Sequence, residues 1–353
     1  MPFPAPREPR SLFELFVAYH EDKGLDGLLS NIDVADLTPR QLYAAVLGRR
    51  PENLRAAQVS ANYIPRDHLR GVLRSPEFQS KAIRLLLDAY PEKRRLLFVH
   101  VPKCAGTDLR IALSDRYPSL DSGLGDPAWT SQAKLFETIH RVALNARFSD
   151  TILIHGHVRL LRAVEEGLIR PHDEVISVIR DPLEIVISHV NYIITRILQD
   201  QESGTFAPDT KGWLGQLGVA ELPSEMSPAT VVQTWKSLLY NPEIVTRNTI
   251  CHWLGNGDRR SFLNRVMIND VEITDTLRYS AWLRERWGVR RDARANESVH
   301  FVTRDMIDAG DIDHIGSLIA EDRKVYAMVS EAITQSGRVS IRGSELTVAD
   351  DFL

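Results

Sequence analysis

Three short β-favouring runs, Leu96–Val101, Thr151–His155 and Glu174–Ile179, recur through the middle of the chain with helically spaced stretches between them. Strands this continuously apolar need cover on both faces, and parallel strands need a long crossover, usually a helix, to re-enter the same sheet. The expected fold is therefore α/β, a parallel sheet flanked by helices over residues 94–335. Between Leu12 and Leu87 apolar residues recur at helical spacing, broken by Pro and Asn, so residues 1–93 read as an N-terminal all-helical appendage. Residues 336–353 form a C-terminal tail. Gln201–Pro228, rich in Gly, Pro, Ser, Thr and Asp, reads as a long loop or lid, and helical spacing returns at Thr230–Leu239 and Asp311–Val329.

Composition narrows the partners. The 43 Lys and Arg against 47 Asp and Glu leave a net charge of −4 with no basic excess, which argues against nucleic acid. No apolar run approaches the roughly 20 residues that a membrane-spanning helix requires. The first residues, Met1–His20, show no signal-peptide cleavage site, and Glu14 and His20 interrupt the apolar stretch. Two cysteines, Cys104 and Cys251, cannot build a disulfide framework and lack metal-ligand spacing. The expected location is the cytoplasm.

The first β-run leads through Pro102-Lys103-Cys104-Ala105-Gly106-Thr107-Asp108 into a helix. Such a turn suits an anion, because N–H groups at a helix start are unpaired and carry the positive end of the dipole. Gly106 allows close backbone approach, Lys103 adds a full charge and Thr107 a hydroxyl donor. The plainer reading is a helix capped by Thr107 with Lys103 solvated. Lys103 precedes the glycine, and no Gly-Lys-Ser or Gly-Lys-Thr occurs there, so the turn is not a Walker A loop and an ATPase is disfavoured.

The third β-run repeats the arrangement: Arg180 ends the strand, and Asp181 and Pro182 open a helix that carries Ser188 and Tyr192. A guanidinium at that place can grip a phosphate with two prongs; alternatively Arg180 and Asp181 form an ion pair at the helix start. Between these motifs, Ile154-His155-Gly156-His157-Val158 ends the second β-run. Residues two apart share a strand face, so His155 and His157 can reach one cavity if Gly156 does not break the strand. A neutral imidazole suits removal of a hydroxyl proton. A structural histidine and a metal pair are the alternatives, the latter without further ligands of evident spacing.

Taken together these segments resemble the sulfotransferases that use 3′-phosphoadenosine 5′-phosphosulfate (PAPS), in particular the carbohydrate and uronyl 2-O-sulfotransferase branch. The turn at Pro102 is similar to that family's Pro-Lys-Thr-Ala-Gly-Thr-Ser, with Cys104 and Asp108 in place of Thr and Ser. The resemblance implies a P-loop-like sulfotransferase fold, with the 5′-phosphosulfate held by Pro102, Lys103, Cys104, Ala105, Gly106, Thr107 and Asp108. It further implies a 3′-phosphate on Arg180 and Ser188, no metal, and catalysis by Lys103 with His157 or His155. His157, lying past Gly156, is the preferred base. Asn248–Gly255, Ala295–Ser298 and Asp322–Tyr326 look like looser family features. Leu42–Pro51 and Leu73–Phe78 are similar to a helical module attached to bacterial glycan-modifying enzymes, which implies a glycan acceptor. A nucleotide kinase and a nucleotide-binding protein without catalysis are the rival readings.

Overall fold

The computed structural model describes residues 64–73, 90–121, 148–223, 227–290 and 301–346, with scattered positions in 38–88 and 142–146. Met1–His20 and Ala295–Ser298 lie outside the described residues, as do most of Leu42–Pro51 and Leu73–Phe78. Two compact units are present. One comprises Met1–Phe98, Leu113–Val158 and Arg162–Glu174, the other Val99–Ala112, Arg159–Leu161 and Val175–Leu353.

In chain order the elements begin with α1 (Pro65–Leu73), β1 (Arg94–Val99), α2 (Gly106–Ser114), β2 (Ser119–Asp121), β3 (Thr151–Gly156), α3 (Leu160–Glu165) and β4 (Glu174–Ile179). They continue with α4 (Pro182–Ser203), α5 (Pro208–Leu217), α6 (Pro228–Leu239), α7 (Thr249–Leu254) and α8 (Arg259–Ile268). Then come β5 (Glu272–Asp275), α9 (Tyr279–Trp287), α10 (Ala309–Leu318), α11 (Ala320–Ser336) and β6 (Ile341–Arg342). The six strands form one mostly parallel sheet in the order β2-β3-β1-β4-β5-β6. Strands β2 and β3 run parallel, as do β4 and β5, while β6 is antiparallel to β5. The chain leaves β1 toward one edge and β4 toward the other, the arrangement at which open α/β sheets place ligands beyond their carboxyl ends.

The three anticipated strands all form, and the structure adds three that polar composition or brevity conceals. Strand β5, Glu-Ile-Thr-Asp, is fully buried although charged at both ends. Its Glu272 accepts from Trp282 Nε1–H at 2.7 Å and the Ser340 hydroxyl at 2.9 Å, and pairs with Arg286 at 3.0 Å. A buried carboxylate survives in a sheet when donors surround it in this way. Strand β6 lies inside the segment read as a C-terminal tail, so that segment contributes an edge of the sheet.

Gln201–Pro228 is another correction. Instead of a long loop or lid, it contains the end of α4 and all of α5. Pro208 occupies the first turn of α5, Gly218 ends it in a left-handed conformation with φ 70°, and the Asp200 carboxylate accepts from the Ala207 N–H and the Thr210 hydroxyl. Gly212 and Gly215 inside this helix are what masks its periodicity. Likewise Asp311–Val329 is two helices rather than one, parted at Ile319.

Within the first unit, Arg95 on β1 is buried and donates to the Gly167 and Leu168 carbonyls at 3.0 and 3.2 Å. Asp173 accepts from the Arg95 backbone N–H at 3.1 Å and from the Arg170 N–H at 2.7 Å. Burial alone raises a carboxyl pKa, but these donors and the Arg170 side chain hold Asp173 below the usual range. The second unit is organised on α4, whose Leu183, Val186, Val190, Ile193, Ile194 and Ile197 enter one apolar core.

Candidate functional site

The turn from β1 into α2 belongs wholly to the second unit, and its backbone is unusual. Lys103 and Ala105 both have positive φ, 65° and 57°, although neither is glycine. Each such residue costs on the order of 1 kcal/mol or more, and strain of this kind persists only where surrounding structure imposes it. Left-handed residues interspersed at a helix start are also the backbone pattern that turns successive N–H groups toward an anion. The Ser177 hydroxyl on β4 donates to the Val99 carbonyl at 2.9 Å, which anchors the start of the turn.

Gly106 has a reason that its sequence position does not disclose. A Cβ there would meet His100 ring atoms at 1.9 Å, so the imidazole rests directly on the glycine. His100 is thus a residue of the turn that sequence reasoning missed; its place in a β-favouring run hid it. Cys104 is buried, with its thiol 3.5 Å from the Pro102 carbonyl, and burial raises its pKa, so it stays protonated. It packs inward as a small apolar group. Asp108 is buried in the first turn of α2, where the helix dipole favours an acid. Pro102, Ala105 and Thr107 are half-buried.

Arg180 leaves β4 beside this turn. One of its guanidinium nitrogens lies 3.5 Å from the Lys103 carbonyl, and another pairs with Glu184 at 3.1 Å. The alternative ion pair with Asp181 does not form, because the Asp181 carboxylate caps α4, accepting from the Leu183 N–H at 2.9 Å and the Glu184 N–H at 3.4 Å. Pro182 takes the first turn as expected. Ser188, two turns further on, is buried.

The Lys103 ammonium rests over the Tyr192 ring, 4.3 Å from its centroid. It has no carboxylate partner among the described residues. Burial, followed by repulsion from Arg180, lowers its pKa to about 8. Next to Ser188, His189 Nε2 lies 3.2 Å from the Ile244 carbonyl, so that nitrogen carries the proton. Burial above all lowers the His189 pKa to about 4, and the Lys103 charge acts in the same direction.

The looser motifs also find a place. The Asn248 side chain accepts from the Glu321 and Asp322 N–H groups at 3.1 and 3.4 Å, at the start of α11. Asp322 answers by accepting from the Ile250 and Cys251 N–H groups of α7, both at 2.9 Å. Two helix starts therefore cap each other, which explains an Asn and an Asp at these positions without reference to a ligand. Burial raises the pKa of Asp322, and the Cys251 thiol, also buried, is raised as well.

The two histidines belong to the first unit and are not brought to one face. His155 is still in β3 and buried, its Nε2 3.3 Å from the Ser119 hydroxyl, which in turn receives the Ser114 hydroxyl at 2.9 Å. Gly156 has φ 138°, which ends the strand, and His157 beyond it is exposed. Of the two arrangements that the sequence allows, the break at Gly156 is the one that forms. Among the described residues no three His, Cys, Asp or Glu side chains are grouped as metal ligands. The chain matches no family model, no curated protein and no solved structure.

Proposed function

We propose that the chain is a sulfotransferase of P-loop-like fold that moves a sulfuryl group from PAPS to a hydroxyl of a carbohydrate acceptor. The observation that carries this reading is the meeting of Lys103 and Arg180 at one end of the sheet. Burial first, and then repulsion from Arg180, lowers the Lys103 pKa, and a multiply charged anion joining the two cations offsets the repulsive part. The strained turn supports it further, since strained backbone accumulates where ligands are held. The match in wording to the PAPS-binding segments then selects the donor among phosphorylated ligands.

In this reading the acceptor oxygen attacks sulfur in line while the bond from sulfur to the bridging oxygen breaks, and the nucleotide bisphosphate leaves with the electron pair. Lys103 meets the charge growing on that bridging oxygen. Arg180 and Ser188 hold the 3′-phosphate, and Glu184 is the counter-ion that Arg180 exchanges for it. The hydroxyl proton passes to a base, for which sequence resemblance and exposure favour His157. The direct test is transfer of label from radiolabelled PAPS to a panel of glycan, phenol and peptide acceptors. Labelled glycan is the expected product; no transfer together with no calorimetric binding of the bisphosphate product would sink the reading.

Two predictions attach here. Arg180→Ala should weaken binding of the 3′,5′-bisphosphate roughly 10- to 100-fold, the worth of a charge-assisted phosphate contact, and should barely affect the 5′-monophosphate. Calorimetry with both ligands decides it, and equal losses would place the 3′-phosphate elsewhere.

The second concerns pH. A lysine whose pKa has fallen to about 8 loses its charge well before an ordinary lysine does, so kcat/KM for the donor should decline above about pH 8. In Lys103→Arg that limb should vanish, because guanidinium stays charged throughout. An identical limb in both proteins would assign it to another group.

A further inference from the structure

Tyr192 stands in no motif discussed so far as a ligand contact, yet its ring is the nearest thing to a partner that the Lys103 ammonium has among the described residues. The two come from elements far apart in sequence, the β1–α2 turn and the third turn of α4. Tyr192 is itself held: Trp213 of α5 meets it edge-on, with ring centroids 6.4 Å apart and planes at 79°. That geometry fixes the ring orientation and leaves one face for the cation.

The groups facing Lys103 explain why a ring is used. From the end of β4 comes Arg180, which repels it; from α4 comes His189, half-buried and with a lowered pKa; from its own turn comes Cys104, a protonated thiol. Of the acids that follow Arg180, Asp181 caps α4 and Glu184 is paired with Arg180. A carboxylate beside Lys103 would neutralise it and compete with an incoming phosphate. An aromatic face attracts the cation without bringing any negative charge, and releases it at little cost.

We propose that Tyr192 is a positioning residue for Lys103: its ring face keeps the ammonium charged and parked at the strand end until the donor's phosphosulfate takes it over. This rests on the sulfotransferase reading for the identity of the anion, but the hold of the ring on the lysine does not. Trp213, by clamping the ring, makes α5 part of the same device, which gives the segment after α4 a function other than that of a lid.

The test replaces Tyr192 by phenylalanine and then by mono-, di- and trifluorinated phenylalanines in the full-length protein. Fluorine drains the ring face while leaving shape and packing nearly constant, so a merely structural ring would not respond. The lysines are methylated with a carbon-13 label, the Lys103 signal is identified by its loss in Lys103→Arg, and its titration is followed without donor. Tyr192→Phe should keep the wild-type midpoint, and fluorination should lower it stepwise by about half a unit to one unit in all. The basic limb of donor kcat/KM should move with it, at unchanged melting temperature. A midpoint that stays constant across the series overturns the proposal. Donor binding and label transfer are measured separately on the wild type, so their failure would remove the sulfotransferase reading while the titration still decides the role of the ring.

Discussion

Lys103→Ala is expected to lower turnover about 10²- to 10³-fold, the usual loss when one preorganised donor to a developing oxyanion is removed. In the proposed transfer the charge on the bridging oxygen grows as the sulfur–oxygen bond lengthens, so the ammonium would interact more strongly with the transition state than with bound PAPS. Binding of the bisphosphate product should therefore weaken less than turnover falls. Stability should move in the opposite direction. In the folded protein Lys103 has a pKa lowered to about 8 by burial and by Arg180, below its unfolded value. The folded chain therefore binds fewer protons than the unfolded chain at pH values between these two values, and stability rises with pH through that window. Below it the cost of the buried charge is fully present, so alanine at this position should melt at an equal or higher temperature near pH 7. Steady-state kinetics, product calorimetry and a thermal melt on one variant decide the matter. A loss confined to the donor KM would make Lys103 a docking charge only.

The parts of this arrangement legible in the sequence are those with a strong local cause. Strands β1, β3 and β4 each hold a short apolar run, Leu96–Val99, Ile152–Ile154 and Val175–Ile179 broken only by Ser177, and Pro182 takes a helix start as its fixed φ requires. The turn from β1 into α2 is legible because a proline, a lysine and a glycine follow an apolar run and precede helical spacing. What remained hidden depends on partners distant in the chain. Glu272 reads as a surface residue until Trp282, Arg286 and Ser340 surround it, and β5 is concealed with it. Helix α5 is hidden by its glycines and held by the Asp200 carboxylate of the preceding helix. Arg180 beside Asp181 invites a local ion pair, whereas the carboxylate is taken by two backbone N–H groups and Glu184, one turn on, captures the guanidinium. His100 and Tyr192 lie in an apolar run and in a helix, and nothing local says that one rests on Gly106 or that the other faces a cation.

The histidines separate most sharply under mutation, because the structure gives them opposite surroundings. His157→Ala should lower turnover roughly 10²- to 10⁴-fold, the worth of a general base, with the melting temperature and nucleotide affinity close to wild type, since an exposed side chain past the end of β3 supports little packing. His155→Ala should do the reverse. Its imidazole is buried in β3 with Nε2 at the Ser119 hydroxyl, and that hydroxyl also receives Ser114, so truncation opens a cavity and leaves the serine pair short of a partner. A stability loss of about 1–3 kcal/mol follows, seen as a lower melting temperature, with turnover per folded molecule little changed. Both variants are compared by label transfer from PAPS, normalised to the folded fraction. If His155→Ala were the deader enzyme at equal folding, the base would be His155 and its burial would have to be relieved during turnover. If neither substitution altered turnover, a histidine base would be falsified, and the acceptor hydroxyl would lose its proton to solvent or to a group outside the His-Gly-His segment.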